Sequence, residues 1–433
     1  RVPLEIGSTK MARYYMYLLM FACSCVASMV IVQQIRGPGN LVGGNWSSLL
    51  EKFLDRGELL NTLKSLPTTN GNTQPGSTAV AGSGSLPIVV AGRQVELKTN
   101  QVVRLQTEVE TIVGRVLAWD DLQLVLLSDR GALRYVPWTS QTEFHEVEGT
   151  LQPLSSAPLQ TELQKEFGPE FSVRASAQFV VVQPKNCQRD WARSMQQFYG
   201  NIQTYCAARQ IPMKHPQFPL VAIVLPSRQA MVDYAAKQQD RIGSNFLAYY
   251  SLSSNRVLMY DSSRKDPSSQ GALELATVFH EAFHQVAFNT GLHKRTAAPP
   301  LWISEGMAAV FETPGMADHR RSRSVSDRVH PDHLRLFLEY ADRPDFSRTL
   351  AQLVERDKLF QTDATQAYAV SWAMAFYWME HAPHAFADYL KTCNQRAAFV
   401  EADPQRRQRE FQTLSKSTMD EFATRLKNYF ERL

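Results

Sequence analysis

From Ala272 to Thr290 the chain runs without glycine or proline, and within that run His280 and His284 stand four residues apart with Glu281 beside the first. The spacing predicts a helix. Glu274 falls in its first turn, where the positive end of the helix dipole favours a carboxylate, and Gly291 supplies a stop. Residues four apart leave a helix on one face, one turn from each other, so both imidazoles project to the same place. A helix of this kind needs a neighbour that supplies whatever else the two rings face.

That neighbour is read in PPLWISEGMAAVFET, where a second helix starting at Pro299 or Pro300 uses proline in the first turn, where it is tolerated. Laid beside the first helix, it carries Glu305 inward after the intervening residues 285–304. Two neutral imidazoles and one carboxylate suit Zn²⁺, and three protein ligands leave a fourth position open, as in catalytic rather than structural sites. Glu281 then reaches water on the metal without being a ligand itself.

HExxH followed by WxxEGxAxxFE resembles the gluzincin metallopeptidases, including the aminopeptidase-N type. HEAFHQVAFNTG with PLWISEGMAAVFE is more similar still to an uncharacterised peptidase-MA-like family of unknown function built on the same core. The resemblance is close from about Phe279 to Glu312 and looser from about Phe171 to Glu380. It implies an α+β gluzincin-like domain, zinc held by His280, His284 and Glu305, and Glu281 as general base. Glu312, seven residues after Glu305 on the same helix face, matches a glutamate of the aminopeptidase-N pattern and is the candidate for orienting a ligand histidine. The alternative is a solvated surface acid. Tyr368 opens a helix read over residues 366–381 and is similar to the aminopeptidase-N tyrosine that hydrogen-bonds the developing oxyanion. The alternative there is a buried tyrosine satisfied by backbone.

Two departures bear on substrate. Ala309 stands where the thermolysin-like branch has an aspartate, and no GxMEN segment to anchor a free amine precedes His280. The apolar strand NRVLMYD is expected at the edge where gluzincins pair with an extended substrate, which points to an endopeptidase ahead of an aminopeptidase. Asn289, Thr290 and Gly291 also match the family pattern, and read as helix cap and turn.

The rest of the chain reads as an export and tethering apparatus. Tyr14 to Val32 carries no charge and is flanked by Lys10, Arg13 and Arg36, so residues 1–36 are expected to hold a transmembrane signal-anchor. The slight basic excess before the run puts the bulk of the chain outside the cytoplasm, in periplasm or extracellular space. Residues 37–87 combine a short helical patch with a Gly/Ser/Thr/Pro-rich flexible spacer. Short alternating apolar runs at 88–150, broken by turn residues, predict a small SH3-like β-barrel, either a protein-docking module or a spacer. The mixed α/β pattern from 160 to 433 is the catalytic domain, with one strand in FSVRASAQFVVVQP and helices dominating after Ala272.

A net charge of +4 with acidic and basic residues interspersed excludes nucleic acid as a default partner. Among five cysteines no CxxC is present, and either a Cys187–Cys206 bridge or free thiols fits the spacing. HRRSRSVSDRVHPDH reads as a mobile loop near the cleft, and His293, His319, His330 and His333 lack ligand spacing with any group. The expected function is a membrane-anchored zinc metallopeptidase in which Glu281 assists attack of a zinc-bound water on a peptide or protein substrate. The alternative is an inactive gluzincin fold kept as a binding or scaffolding protein of the cell envelope.

Overall fold

The computed structural model describes residues 88–433 apart from 91–92, 108, 121–122, 139–140, 239, 241, 243–245, 262–270, 318–323 and 401. The expected anchor, helical patch and spacer lie outside the described residues. Among the described residues no helix is long and apolar enough to cross a membrane. The architecture is mixed α+β, with two five-stranded sheets and a ribbon of β1 (Ile88–Val90) and β2 (Arg93–Val95).

The alternating runs after residue 100 form β3 (Val102–Thr107), β4 (Thr111–Trp119), β5 (Gln123–Leu127), β6 (Leu133–Pro137) and β7 (Gln141–Val147). They are antiparallel throughout, in the order β6-β5-β4-β3-β7, so the last strand returns to pair with the first. Val103, Leu105, Val116, Leu124, Leu126 and Val136 share one apolar core, as a period of two requires. A register shift between Val116 and Ala118 bends β4, the longest strand of the sheet. The opposite face of β5 is also covered: Val125 and Leu127 pack on Phe218, with Phe399 at the margin. Burial on both faces explains why Leu124 to Leu127 is an unbroken apolar run.

The second sheet joins β8 (Phe171–Ala175), β9 (Phe179–Pro184), β10 (Leu220–Leu225), β11 (Ala248–Ser251) and β12 (Arg256–Tyr260) in the order β11-β12-β10-β9-β8. β9, β10 and β12 are parallel, and the two outer strands are antiparallel to their neighbours. Parallel strands are covered on both faces and lose the polar alternation. Thus Leu220, Ala222 and Val224 face α2 (Trp191–Ala208), while Val221, Ile223 and Leu225 face α1 (Ser156–Phe167) and α3 (Arg228–Lys237).

Two expectations are corrected here. FSVRASAQFVVVQP is a hairpin rather than one strand: Ser176 turns the chain, its N–H donating to Phe179 O at 2.8 Å and its hydroxyl accepting from Phe179 N at 3.2 Å. The strand in NRVLMYD is interior, paired with β10 on one side and β11 on the other, and AYYS is the edge. Cys187, Cys206 and Cys393 are free thiols.

Helices build the remaining layer: α4 (Gly271–Thr290), α5 (Leu301–Phe311), α6 (Pro314–Ala317), α7 (Pro331–Ala341), α8 (Phe346–Glu355), α9 (Leu359–Thr362), α10 (Ala364–His381), α11 (Pro383–Asn394), α12 (Pro404–Ser415) and α13 (Met419–Phe430). α5 is buried on every side, which its residues, apolar or small apart from Glu305, permit. Trp302, fully buried, packs against Trp378, Tyr389 and Phe411, and truncating such a side chain costs about 3–5 kcal/mol. Gly306 sets how close α5 lies to α10, because a Cβ there would stand 2.3 Å from Ser371 O. Any larger residue would push apart the two helices that carry Glu305 and Tyr368.

Candidate metal centre

α4 delivers His280, Glu281 and His284, and α5 delivers Glu305; all four are almost completely buried. His280 Nε2 lies 3.2 Å from Glu305 Oε2, and His284 Nε2 lies 3.5 Å from Glu305 Oε1. One carboxylate thus divides its two oxygens between two imidazoles. Glu305 Oε1 is buried with no hydrogen-bond partner among the described residues. The three side chains form a buried group that can hold a metal ion, with one ligand atom from each within 4.8 Å of the others.

The surroundings fix the orientation of each part. Glu312, which follows α5 directly, has Oε2 2.8 Å from His280 Nδ1. With Nδ1–H donating to that carboxylate, neutral His280 turns a lone pair on Nε2 toward Glu305 Oε2. Two acceptors in contact repel unless a positive charge intervenes. A proton meets that demand: burial alone would push the His280 imidazole down, but hydrogen bonds and charges of Glu305 and Glu312 outweigh burial and raise it well above the usual histidine range. Burial would likewise raise the Glu305 carboxyl; the charge of His284 and the hydrogen bond and charge of His280 hold it well below the usual range instead. A divalent cation would meet the same demand for positive charge.

Glu281 Oε2 accepts a hydrogen bond of 2.9 Å from the backbone N–H of Tyr250, on the edge strand β11. Tyr368, in the second turn of α10, donates its hydroxyl to Glu305 Oε2 at 2.9 Å. Tyr368 is therefore buried on a side-chain carboxylate, and Glu312, whose side chain is 12% exposed, is not a solvated surface acid.

A second group lies behind the first and corrects the expectation that His330 and His333 are isolated. Glu312 Oε1 faces His333 Nε2 at 3.2 Å and His330 Nε2 at 3.5 Å, a constellation of metal-ligand residue types in its own right. Hydrogen placement argues against an ion there. His330 caps α7 by accepting His333 N–H on Nδ1, at 3.3 Å, so its ring proton sits on Nε2 and points to Glu312. His333 Nε2 donates to the same oxygen, while its Nδ1 is buried without a hydrogen-bond partner among the described residues. Burial would raise the Glu312 carboxyl, but the hydrogen bonds and charges of His280 and His333 hold it well below the usual range, with His330 a weaker contact at 3.5 Å. Burial, helped by the charge of His333, pushes the His330 imidazole down to about 3. The signal missed in the sequence is HPDH: a histidine before proline occupies a cap position, and its partner three residues on shares the first turn.

The basic stretch is also less free than expected, since Arg328 donates to both oxygens of Glu380 at 2.9 Å, beside Arg209 and Tyr205. Residues 318–323, which include His319, lie outside the described residues. His293 is buried and pushed down to about 3 by burial first and the charge of His284 second.

A family model described as "Protein of unknown function (DUF1570)" matches residues 274–399. That span takes in both histidine groups, Glu281, Glu305, Glu312 and Tyr368 and stops short of the edge strand. No curated protein matches the chain.

Proposed function

We propose that this chain is a zinc-dependent metallopeptidase of the gluzincin type, with His280, His284 and Glu305 as the residues that would hold Zn²⁺. One observation carries the reading. Tetrahedral zinc with bonds of about 2.0–2.1 Å separates its donor atoms by roughly 3.3 Å, and the two contacts of Glu305 with the imidazoles, 3.2 and 3.5 Å, fall at that spacing. When bound, zinc supplies a Lewis acid that polarises the substrate carbonyl and makes water acidic.

The chain's own residues supply the proton traffic and the orientation. Glu281 takes the proton of the attacking water and returns it to the leaving amine, its carboxylate held in place through Oε2 by the Tyr250 amide. Tyr368 donates to the oxygen on which negative charge develops, exchanging its bond to Glu305 for one to the substrate. Glu312 keeps the Nδ1 proton of His280 in place, so that Nε2 is the ligating nitrogen. All four residues of β11 are in register with β12, and the Tyr250 N–H points away from that partner toward Glu281, so the outer edge of β11 lies on the side where an extended peptide would pair, which supports an endopeptidase. In the same reading the five-stranded unit at 102–147 is an SH3-like barrel, and the apolar run Tyr14 to Val32 tethers the protein with its bulk outside the cytoplasm.

The test is Glu281→Gln in the full chain. It is expected to abolish hydrolysis of a quenched peptide library while metal analysis still finds about one zinc per chain, since the base is not a ligand. Wild-type protein that binds zinc and cleaves no peptide would support the inactive scaffold; protein that binds no metal would remove both readings.

A further inference from the structure

The hairpin β11–β12 is held at its turn from two directions, and one of them is the separate β sheet. Arg295, in the segment between α4 and α5, donates from Nη1 to Gly131 O and from Nη2 to Leu252 O, each at 2.5 Å. Gly131 belongs to the β5–β6 turn and Leu252 to the β11–β12 turn. Leu133 N, at the start of β6, donates to Ser253 O at 2.7 Å, so the two turns are also joined directly. Gly131 has φ +78, and a Cβ there would come within 2.9 Å of Phe218 and 3.0 Å of the Asn255 amide. This close approach is available to glycine alone.

From the other direction the turn is stapled to α4. Asn255, in the left-handed conformation at φ 61, exchanges two hydrogen bonds with the Asn289 side chain at 2.7 and 2.9 Å. Its backbone oxygen accepts from Gln285 Nε2 at 2.7 Å, and its Oδ1 accepts from the Tyr250 hydroxyl at 2.9 Å. Gln285 and Asn289 leave the helix that carries Glu281, and Tyr250 supplies the amide that holds Glu281. An unbroken set of short polar contacts therefore runs from the β5–β6 turn, through Arg295 and the hairpin turn, to the Glu281 carboxylate.

We propose that the five-stranded β unit is a working part of the site: through Arg295 it clamps the hairpin turn and so sets the position of the Tyr250 amide that orients Glu281. Arg295 is a positioning residue. The mechanical coupling stands on the contacts themselves, and only its consequence for turnover rests on the peptidase reading. A freely tethered docking module would have no need of a glycine-only contact and a two-carbonyl arginine at the base of a catalytic hairpin. The three candidate ligands come from α4 and α5, which pack on one another, so zinc content is expected to persist when the turn loosens.

The experiment is segment-resolved amide hydrogen exchange on full-length Arg295→Ala, Gly131→Ala and the double variant, with zinc content and turnover measured in parallel. Arg295→Ala is expected to speed exchange at 248–256 by at least about tenfold while α10 keeps its wild-type protection. Turnover falls with zinc content and KM unchanged. Gly131→Ala shows the same local pattern, and the double variant adds little to either, since both act through one contact. Arg295→Lys, which cannot span two carbonyls, recovers only part of the effect. Unchanged exchange at 248–256, or a uniform rise across the chain, would overturn the proposal and return the β unit to the role of a spacer. Local loosening with undiminished hydrolysis would overturn the link to Glu281. A wild type without any hydrolysis would sink the peptidase reading and leave the exchange result to decide the clamp.

Discussion

Two sets of two histidines and one glutamate sit back to back in this molecule, and they share similar heavy-atom distances: 3.2 and 3.5 Å in His280, His284 and Glu305, and again 3.2 and 3.5 Å in His333, His330 and Glu312. Protons separate them. In the first set Glu312 claims the Nδ1 proton of His280 and leaves a lone pair facing a carboxylate, an arrangement that calls for a cation. In the second, the cap bond to His330 Nδ1 directs a proton toward Glu312, and the carboxylate is satisfied by donors. Residue type and spacing alone do not make a metal site; what the far nitrogen of each ring is doing decides it.

The largest expected effect comes from breaking the first set. On the proposed reading His284→Ala removes one of three zinc ligands, so zinc measured on the purified chain is expected to fall from about one equivalent to none, and hydrolysis with it. The equivalent change in the second set, His333→Ala, leaves the stoichiometry intact. If His284→Ala retains zinc, the comparison collapses. Next in size is Tyr368→Phe, which removes the hydroxyl that donates to Glu305 while leaving all three candidate ligands in place. Turnover is expected to drop by ~10²–10³-fold with zinc content and KM unchanged. Wild-type turnover would return Tyr368 to the role of a buried partner of Glu305.

The first set was legible in the sequence because local geometry builds most of it. His280 and His284 are one turn apart on one helix, and Glu305 follows on the next, so three ligands required only two helices to be neighbours. LVAIVL has no polar alternation because both faces of its strand are covered, so its double burial shows in the sequence although its parallel pairing does not. Contributions from the main chain were not legible. The Tyr250 amide has no side-chain signature, and any residue there other than proline would supply it. Arg295 reads as one more basic residue until Gly131 and Leu252, distant in the chain, are brought to it. The edge position was misassigned because NRVLMYD and AYYS are both apolar, and pairing order is a long-range property. Ala-Ser-Ala carries no strong turn residue, which hid the bend between β8 and β9.

A smaller effect tests how far the second set supports the first. His333→Gln keeps a donor near Glu312 but on a shorter, differently angled arm. Zinc affinity, read by chelator competition, is expected to weaken a few-fold, less than the ~10–100-fold that follows from losing the carboxylate that directly orients a ligand. A loss as large as that of Glu312→Ala would mean that His333, rather than His280 alone, fixes the Glu312 carboxylate.

The smallest effect is expected at His330, where the comparison is most exposed. Its ring does two things: Nδ1 caps α7 by accepting His333 N–H at 3.3 Å, and Nε2 reaches toward Glu312 across 3.5 Å. Asparagine is among the best N-cap residues and its short side chain cannot reach Glu312, so His330→Asn preserves the first role and deletes the second. Because 3.5 Å is a weak contact and Glu312 keeps its bonds to His280 and His333, zinc stoichiometry and affinity should stay within about twofold of wild type, and stability within about 0.5 kcal/mol. His330→Ala deletes both and should cost about 1 kcal/mol in denaturant unfolding through the lost cap, again with zinc unchanged. A wild-type chain that takes up two equivalents of zinc and releases one in His330→Asn would show that the second set binds metal after all. The Nδ1 of His330 would then have to carry a proton, the cap bond to His333 would be broken in the loaded protein, and amide exchange at His333 would rise on adding zinc rather than stay constant.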